Sequence, residues 1–126
     1  MINGIGTDIL DIRRFERLYL NWGNRLVSRL FNKNEIPSYY SKKKFIQSLA
    51  GKFAAKEAIS KAFGTGIGSV IGFKDIKILK NKNGAPTASI DNINDKVIHI
   101  SISHSDYYAI AFAILEKKWM IQFLGK

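Results

Sequence analysis

Glu57 and Lys61 stand four residues apart in Phe53-Ala54-Ala55-Lys56-Glu57-Ala58-Ile59-Ser60-Lys61-Ala62, so on a helix they share one face. Asp8, in Ile5-Gly6-Thr7-Asp8, is a carboxylate inside an otherwise apolar run, where burial is costly unless a cation offsets it. Two carboxylates and an ammonium brought together would suit a divalent metal and a phosphate ester, because hard cations take oxygen ligands. Plainer readings stay open. Asp8 could cap a following helix, and Glu57 ahead of Lys61 is the favoured order for a surface ion pair. His104, in Ser101-Ile102-Ser103-His104-Ser105, sits where its ring and the flanking hydroxyls could meet phosphate oxygens, or serve only structure. His99 has less claim, and two histidines without a serine elbow give a hydrolytic triad little support.

The elements that must position these groups are legible as periodicities. Ile2 to Leu10 reads as a strand, and Ile12, Phe15, Leu18 and Tyr19 recur at helical spacing, leaving Arg13, Arg14 and Arg17 on an exposed face. A second helical piece carries Leu26, Val27 and Leu30 with Arg25 and Arg29, before a break over Asn32 to Pro37. After the basic step Lys42-Lys43-Lys44, the stripe Phe45, Leu49, Phe53 and Ala54 predicts a helix from about Lys43 to Phe63, with Gly64 ending it in a left-handed conformation. Glu57 lies on that stripe and should face inward or border the core. Phe73 to Leu79 alternates as a strand, Asn83-Gly84 signals a hairpin, and Thr87 to Ile90 returns. Val97 to Ser103 places His99, Ser101 and Ser103 opposite Ile98, Ile100 and Ile102, before a turn and a last strand through Leu115. The fold class is therefore α+β, a helical first half packed on an antiparallel sheet that the first strand can join. The run Gly64-Thr65-Gly66-Ile67-Gly68 reads as a helix stop and joint, since it does not open a helix after a strand.

Length and composition narrow the setting. A chain of 126 residues predicts a single domain spanning 1–126 with one site. It has no cysteine, which removes disulfides and thiolate metal sites. No apolar run approaches a membrane span, and Asp8 and Asp11 interrupt the place of a secretory signal, so a cytoplasmic protein with no membrane association is expected. The net charge of +10 would attract nucleic acid, an anionic membrane, nucleotide phosphates or an acidic protein, or else be a lysine-rich composition alone.

Taken together these residues resemble the holo-[acyl-carrier-protein] synthase family, the small type of 4'-phosphopantetheinyl transferase. The resemblance rests on Gly6-Thr7-Asp8 and the Phe53 to Ala62 segment, and it extends to Phe63-Gly64-Thr65-Gly66-Ile67-Gly68, Asn83-Gly84-Ala85-Pro86 and Ser101-Ile102-Ser103-His104. Lys52 departs from the pattern, standing where the family often has arginine and lacking its bidentate fork. The resemblance implies transfer of the phosphopantetheine arm from coenzyme A to a serine of apo acyl carrier protein, in fatty acid biosynthesis. It also implies a magnesium requirement met by Asp8 and Glu57, and a homotrimer whose sites lie between neighbours. Glu57, directly or through water, is then the candidate base, and Lys61 would stabilise the leaving phosphate. Lys52, Asn83, Gly84, Pro86 and His104 become coenzyme A contacts, and Arg13, Arg14 and Arg17 a surface for the acidic carrier protein.

A nucleic-acid-binding module is the alternative from another class, favoured by charge and by Tyr39, Tyr40, Tyr107 and Tyr108. It leaves Asp8 and Glu57 without a use. A noncatalytic subunit that keeps the fold for assembly would in turn have no reason to hold Asp8, Glu57 and Lys61 together.

Overall fold

The computed structural model describes residues 1–38, 41–64 and 71–118. The strand β1 (Ile2–Asp11) leads directly into α1 (Ile12–Trp22), followed by α2 (Asn24–Leu30), a 3-10 turn at Lys33–Glu35 and the long α3 (Lys42–Phe63). A second 3-10 turn at Phe73–Asp75 precedes β2 (Ile76–Lys80), β3 (Pro86–Ile90), β4 (Lys96–His104) and β5 (Tyr108–Lys117). The α+β reading holds, with one refinement. The strands form two antiparallel sheets, β1-β5-β4 and β2-β3, and β1 joins the larger one as an edge strand.

α3 is the spine of the molecule, and small residues let it lie close to the larger sheet. Ala50, Ala54, Ala55, Ala58 and Ala62 are buried on the helix, and Ala109, Ala111 and Ala113 face them from β5. The approach is closest at β1. A Cβ on Gly6 would stand 1.9 Å from the Ala58 carbonyl oxygen, and one on Gly4 would stand 2.1 Å from that of Ala62. Only glycine admits this contact, so β1 and the C-terminal half of α3 are held backbone to backbone. Around this seam Leu49, Ile59, Ile76 and Leu115 are fully buried, each contributing roughly 1.5–3 kcal/mol by burial. Phe53, with ring centroids 5.7 Å from Phe15 and 5.4 Å from Phe73, joins α3 to α1 and to the turn before β2.

The ends of the elements follow local chemistry. Asp11, not Asp8, caps α1, accepting from the Arg13 amide at 2.9 Å. Gly64 ends α3 at φ 79°, as its position predicts, and residues 65–70 beyond it lie outside the described residues. The segment read as a strand from Phe73 begins as a 3-10 turn, because the Asp75 carboxylate accepts from the Gly72 amide at 2.8 Å and keeps the chain curled until Ile76. The Asn83-Gly84 hairpin forms, with Gly84 at φ 81°. Its loop spans residues 81–85, since Asn81 Oδ1 accepts from the Asn83 and Ala85 amides at 2.9 and 3.0 Å.

A fully buried ion pair, absent from the reading above, anchors the helical half. Lys56 Nζ donates to Glu35 Oε1 and to the Phe73 carbonyl at 2.8 Å, and to the Leu30 carbonyl at 2.7 Å. Glu35 in turn accepts from the Asn32 and Ile78 amides, both at 2.8 Å. Burial pushes the Lys56 ammonium below its usual range, and the Glu35 carboxylate opposes that shift. Every donor and acceptor of the pair is satisfied, which is the condition for a buried pair to be tolerated.

Candidate active site

The close β1–α3 contact brings Asp8, Glu57 and Lys61 together. Lys61 Nζ reaches across to β1 and donates to Asp8 Oδ1 at 3.0 Å and to the Thr7 carbonyl at 3.1 Å. The plain surface pair between Glu57 and Lys61 is therefore not what forms, and Asp8 is not the helix cap. Asp8 is 17% exposed and Lys61 53%, so the ammonium keeps a face toward solvent while the aspartate is sheltered. Glu57 is half-buried, and its carboxyl is pushed above the ordinary carboxylate range, first by burial and then by the Asp8 charge, with Lys61 pulling the other way.

That shift is a physical test of whether a cation fits. Two carboxylates from different elements repel one another, and the Lys61 ammonium beside them is hydrogen-bonded to Asp8. A divalent cation with oxygen ligands would relieve the repulsion. Among the described residues no group of three or more His, Asp, Glu or Cys could hold a metal, so remaining ligands would have to come from phosphate oxygens and water.

The other predicted residues gather elsewhere on α3. A cleft of ≈ 430 Å³ opens between the first half of α3, the β2–β3 hairpin and the end of β4. Its lining includes Lys52, Gly84, Pro86 and His104, together with Lys44 and Lys80, which sequence reasoning had not singled out as contacts. Asn83 lies beside it in the loop but is not part of the lining. Lys52 also donates to the Glu35 carbonyl, and burial lowers its ammonium from the usual range. Lys52 and Lys61 are nine positions apart on α3, about half a turn out of phase and about 13 Å along the axis. The cleft and the acidic cluster thus lie on opposite sides of one helix.

The three arginines separate too. The Arg14 and Arg17 side chains are exposed and make no hydrogen bond or ion pair among the described residues, whereas Arg13 is committed to Asp11, with Nε–Oδ1 and Nη2–Oδ2 both 3.0 Å. Beyond them a groove of ≈ 420 Å³ is lined by Leu18, Trp22, Arg25, Leu26 and Arg29. Two of its three apolar members are visible in the sequence as Leu18 and Trp22, one turn apart on the arginine-bearing helix. Lys56 was legible as well, seven residues after Leu49 and hence on the same buried stripe. Its partner Glu35 had only the weaker signal of an asparagine three residues before it.

Comparison with known proteins agrees with this geometry over nearly the whole chain. The family model of the 4'-phosphopantetheinyl transferase superfamily matches residues 4–113. The holo-[acyl-carrier-protein] synthase of Oceanobacillus iheyensis is 45% identical over 120 residues, covering 94% of this chain and 99% of the relative. Among solved structures, the Bacillus anthracis holo-(acyl-carrier-protein) synthase in complex with CoA (3',5'-ADP) superposes with a TM-score of 0.84 at 36% identity, covering 93% of this chain and 98% of that one. The Helicobacter pylori holo-[acyl-carrier-protein] synthase in complex with coenzyme A gives 0.78 at 35% identity, covering 89% and 99%. Sequence, fold and the pairing of Asp8 with the Glu57–Lys61 helix agree, and this chain belongs to the holo-[acyl-carrier-protein] synthase family of the 4'-phosphopantetheinyl transferase superfamily.

Proposed function

We propose that this protein transfers the 4'-phosphopantetheine group from coenzyme A to a serine hydroxyl of an apo acyl carrier protein, releasing adenosine 3',5'-bisphosphate, in fatty acid biosynthesis. The observation that carries the proposal is the convergence of Asp8, Glu57 and Lys61 at the β1–α3 seam, on a chain whose relatives are named for this reaction. In the transfer the serine oxygen attacks the β-phosphorus and the bond to the leaving phosphate breaks. Glu57, beside the seam where the acceptor would enter, takes the hydroxyl proton directly or through water. Lys61 turns its solvent-facing ammonium to the charge developing on the leaving phosphate. Asp8 and Glu57 would hold Mg2+, which when bound neutralises the diphosphate.

Coenzyme A would lie in the cleft with its phosphates on Lys52 and His104 and its adenosine end toward Asn83, Gly84 and Pro86 of the hairpin. Because that cleft and the acidic cluster lie on opposite sides of α3, a complete site is best supplied by two copies. The outer face of the β1-β5-β4 sheet supports a homotrimer. There Ile5, Ile9, Ile110 and Phe112 are 45–64% exposed and adjoin in register, a contiguous apolar surface of the kind that marks an interface. A mixture of Asp8→Ala and His104→Ala proteins tests this arrangement. Regained transfer on mixing supports sites shared between neighbours, and no regain at any ratio refutes it.

Arg14 and Arg17, and the adjoining Leu18–Trp22–Arg25 groove, would receive the acidic carrier protein, with apolar and charged contacts side by side. Arg14→Glu should raise the carrier-protein KM while coenzyme A binding is spared; equal loss of both refutes the assignment. A nucleic-acid role finds no comparable support. Two of the tyrosines that suggested it, Tyr107 and Tyr108, pack against Arg13, and Tyr39 and Tyr40 lie outside the described residues. No described helix is long and apolar enough to cross a membrane, and a cytoplasmic site of action accords with coenzyme A as the donor.

A further inference from the structure

Arg13 sits in the first turn of α1, where a positive side chain opposes the helix dipole and needs a reason to stay. Its surroundings supply one. Both carboxylate oxygens of Asp11 engage it, in the two-point geometry that makes Arg–carboxylate pairs strong and directional. The hydrogen bonding lowers Asp11 below the ordinary carboxylate range and raises Arg13. On its other side the guanidinium lies over the Tyr107 ring, 4.5 Å from the centroid, with the Tyr108 ring at 5.8 Å.

Those tyrosines end the tight turn between β4 and β5. Ser105 closes it, its amide donating to the Tyr108 carbonyl at 2.9 Å and its Oγ accepting from the Tyr107 and Tyr108 amides at 3.3 and 3.2 Å. Two further ties hold the turn from outside. The Ile12 amide donates to the Tyr107 carbonyl at 2.7 Å, and Lys43 pairs with Asp106 at 3.1 Å. His104, the last residue of β4 and part of the cleft lining, immediately precedes this turn.

We infer that Arg13 is a positioning residue for the coenzyme A cleft rather than a contact for the carrier protein. Clamped between Asp11 and Tyr107, it holds the β4–β5 turn against the start of α1 and so fixes where His104 meets the donor. To grip a carrier carboxylate it would first have to release Asp11, whereas Arg14 and Arg17 need release nothing. The inference rests on the proposed placement of coenzyme A in the cleft.

The experiment compares untagged full-length wild type with Arg13→Ala, Tyr107→Ala, the double variant, Arg14→Ala and His104→Ala. Coenzyme A affinity is measured by calorimetry without carrier protein, and KM is measured for both substrates. The chain has two histidines, so His99 serves as internal reference for the His104 ring signals in NMR spectra. Arg13→Ala and Tyr107→Ala should each weaken coenzyme A about fivefold, and the double variant no further, because partners in one contact are not additive. The His104 signals should move in both while those of His99 stay, and Arg14→Ala should raise only the carrier KM. Unchanged coenzyme A affinity in Arg13→Ala with a raised carrier KM would overturn the inference, as would effects that multiply in the double variant. His104→Ala separates the premises. If it weakens coenzyme A while Arg13→Ala does not, the positioning role alone fails; if it too changes nothing, the cleft placement fails and the inference with it.

Discussion

Asp8 shows how one carboxylate changes meaning once its neighbours are known. By sequence it was as fit to cap a helix as to serve chemistry, and the cap proves to be Asp11, three residues on. Asp8 instead meets Lys61 and raises the proton affinity of Glu57. Asp8→Asn and Glu57→Gln should each lower kcat on the order of a hundredfold or more in transfer assays, because each removes one of two charges available to a divalent cation. Asp11 makes a different prediction. Its carboxyl is held below the unfolded value of 3.8, so between the two values the unfolded chain binds more protons. That stabilisation is present above 3.8 and is lost as pH falls through the folded value. Asp11→Asn should lower Tm near neutral pH and show a smaller further fall between about pH 5 and about pH 3, followed by circular dichroism.

At the scale of elements, the helices and strands were legible because their apolar residues recur at 3.6 or 2 positions, and α3 begins within one residue of its expected start. What periodicity did not reveal is how near two elements come. Gly4 and Gly6 beside Asp8 read as strand glycines, and only the fold gives them their purpose, the contact with Ala58 and Ala62. Gly6→Ala should therefore push α3 from β1, costing about 1–3 kcal/mol or more in denaturant unfolding and disabling transfer even in protein that still folds. The Lys56–Glu35 pair was hidden for a related reason, since its two members and their partners come from five separate segments. Lys56→Met leaves Glu35 buried without its counter-charge and should cost about 3–5 kcal/mol, whereas Lys56→Met with Glu35→Leu should recover part of that loss.

For the molecule as a whole, the charge of +10 and the exposed apolar sheet face have separate uses under the proposed function. On that reading charge on α1 would draw the acidic carrier, and the sheet face would meet other copies. Phe112→Glu, on that face, should shift sedimentation from trimer to monomer and reduce transfer with it, and an unchanged sedimentation coefficient would refute the interface. Neither the proposed assembly nor a site shared between copies is readable from hydrophobic spacing, which describes one chain. The sequence motifs pointed to two groups of residues, and the fold sets Asp8, Glu57 and Lys61 on one side of α3 and Lys52 and His104 on the other. The central claim is tested most directly by incubating the protein with coenzyme A, magnesium and an apo acyl carrier protein and weighing the carrier by mass spectrometry. The account predicts the mass increase of one phosphopantetheine on a single serine, abolished in Asp8→Ala and Glu57→Ala. No increase under conditions where a reference transferase modifies the same carrier would contradict it.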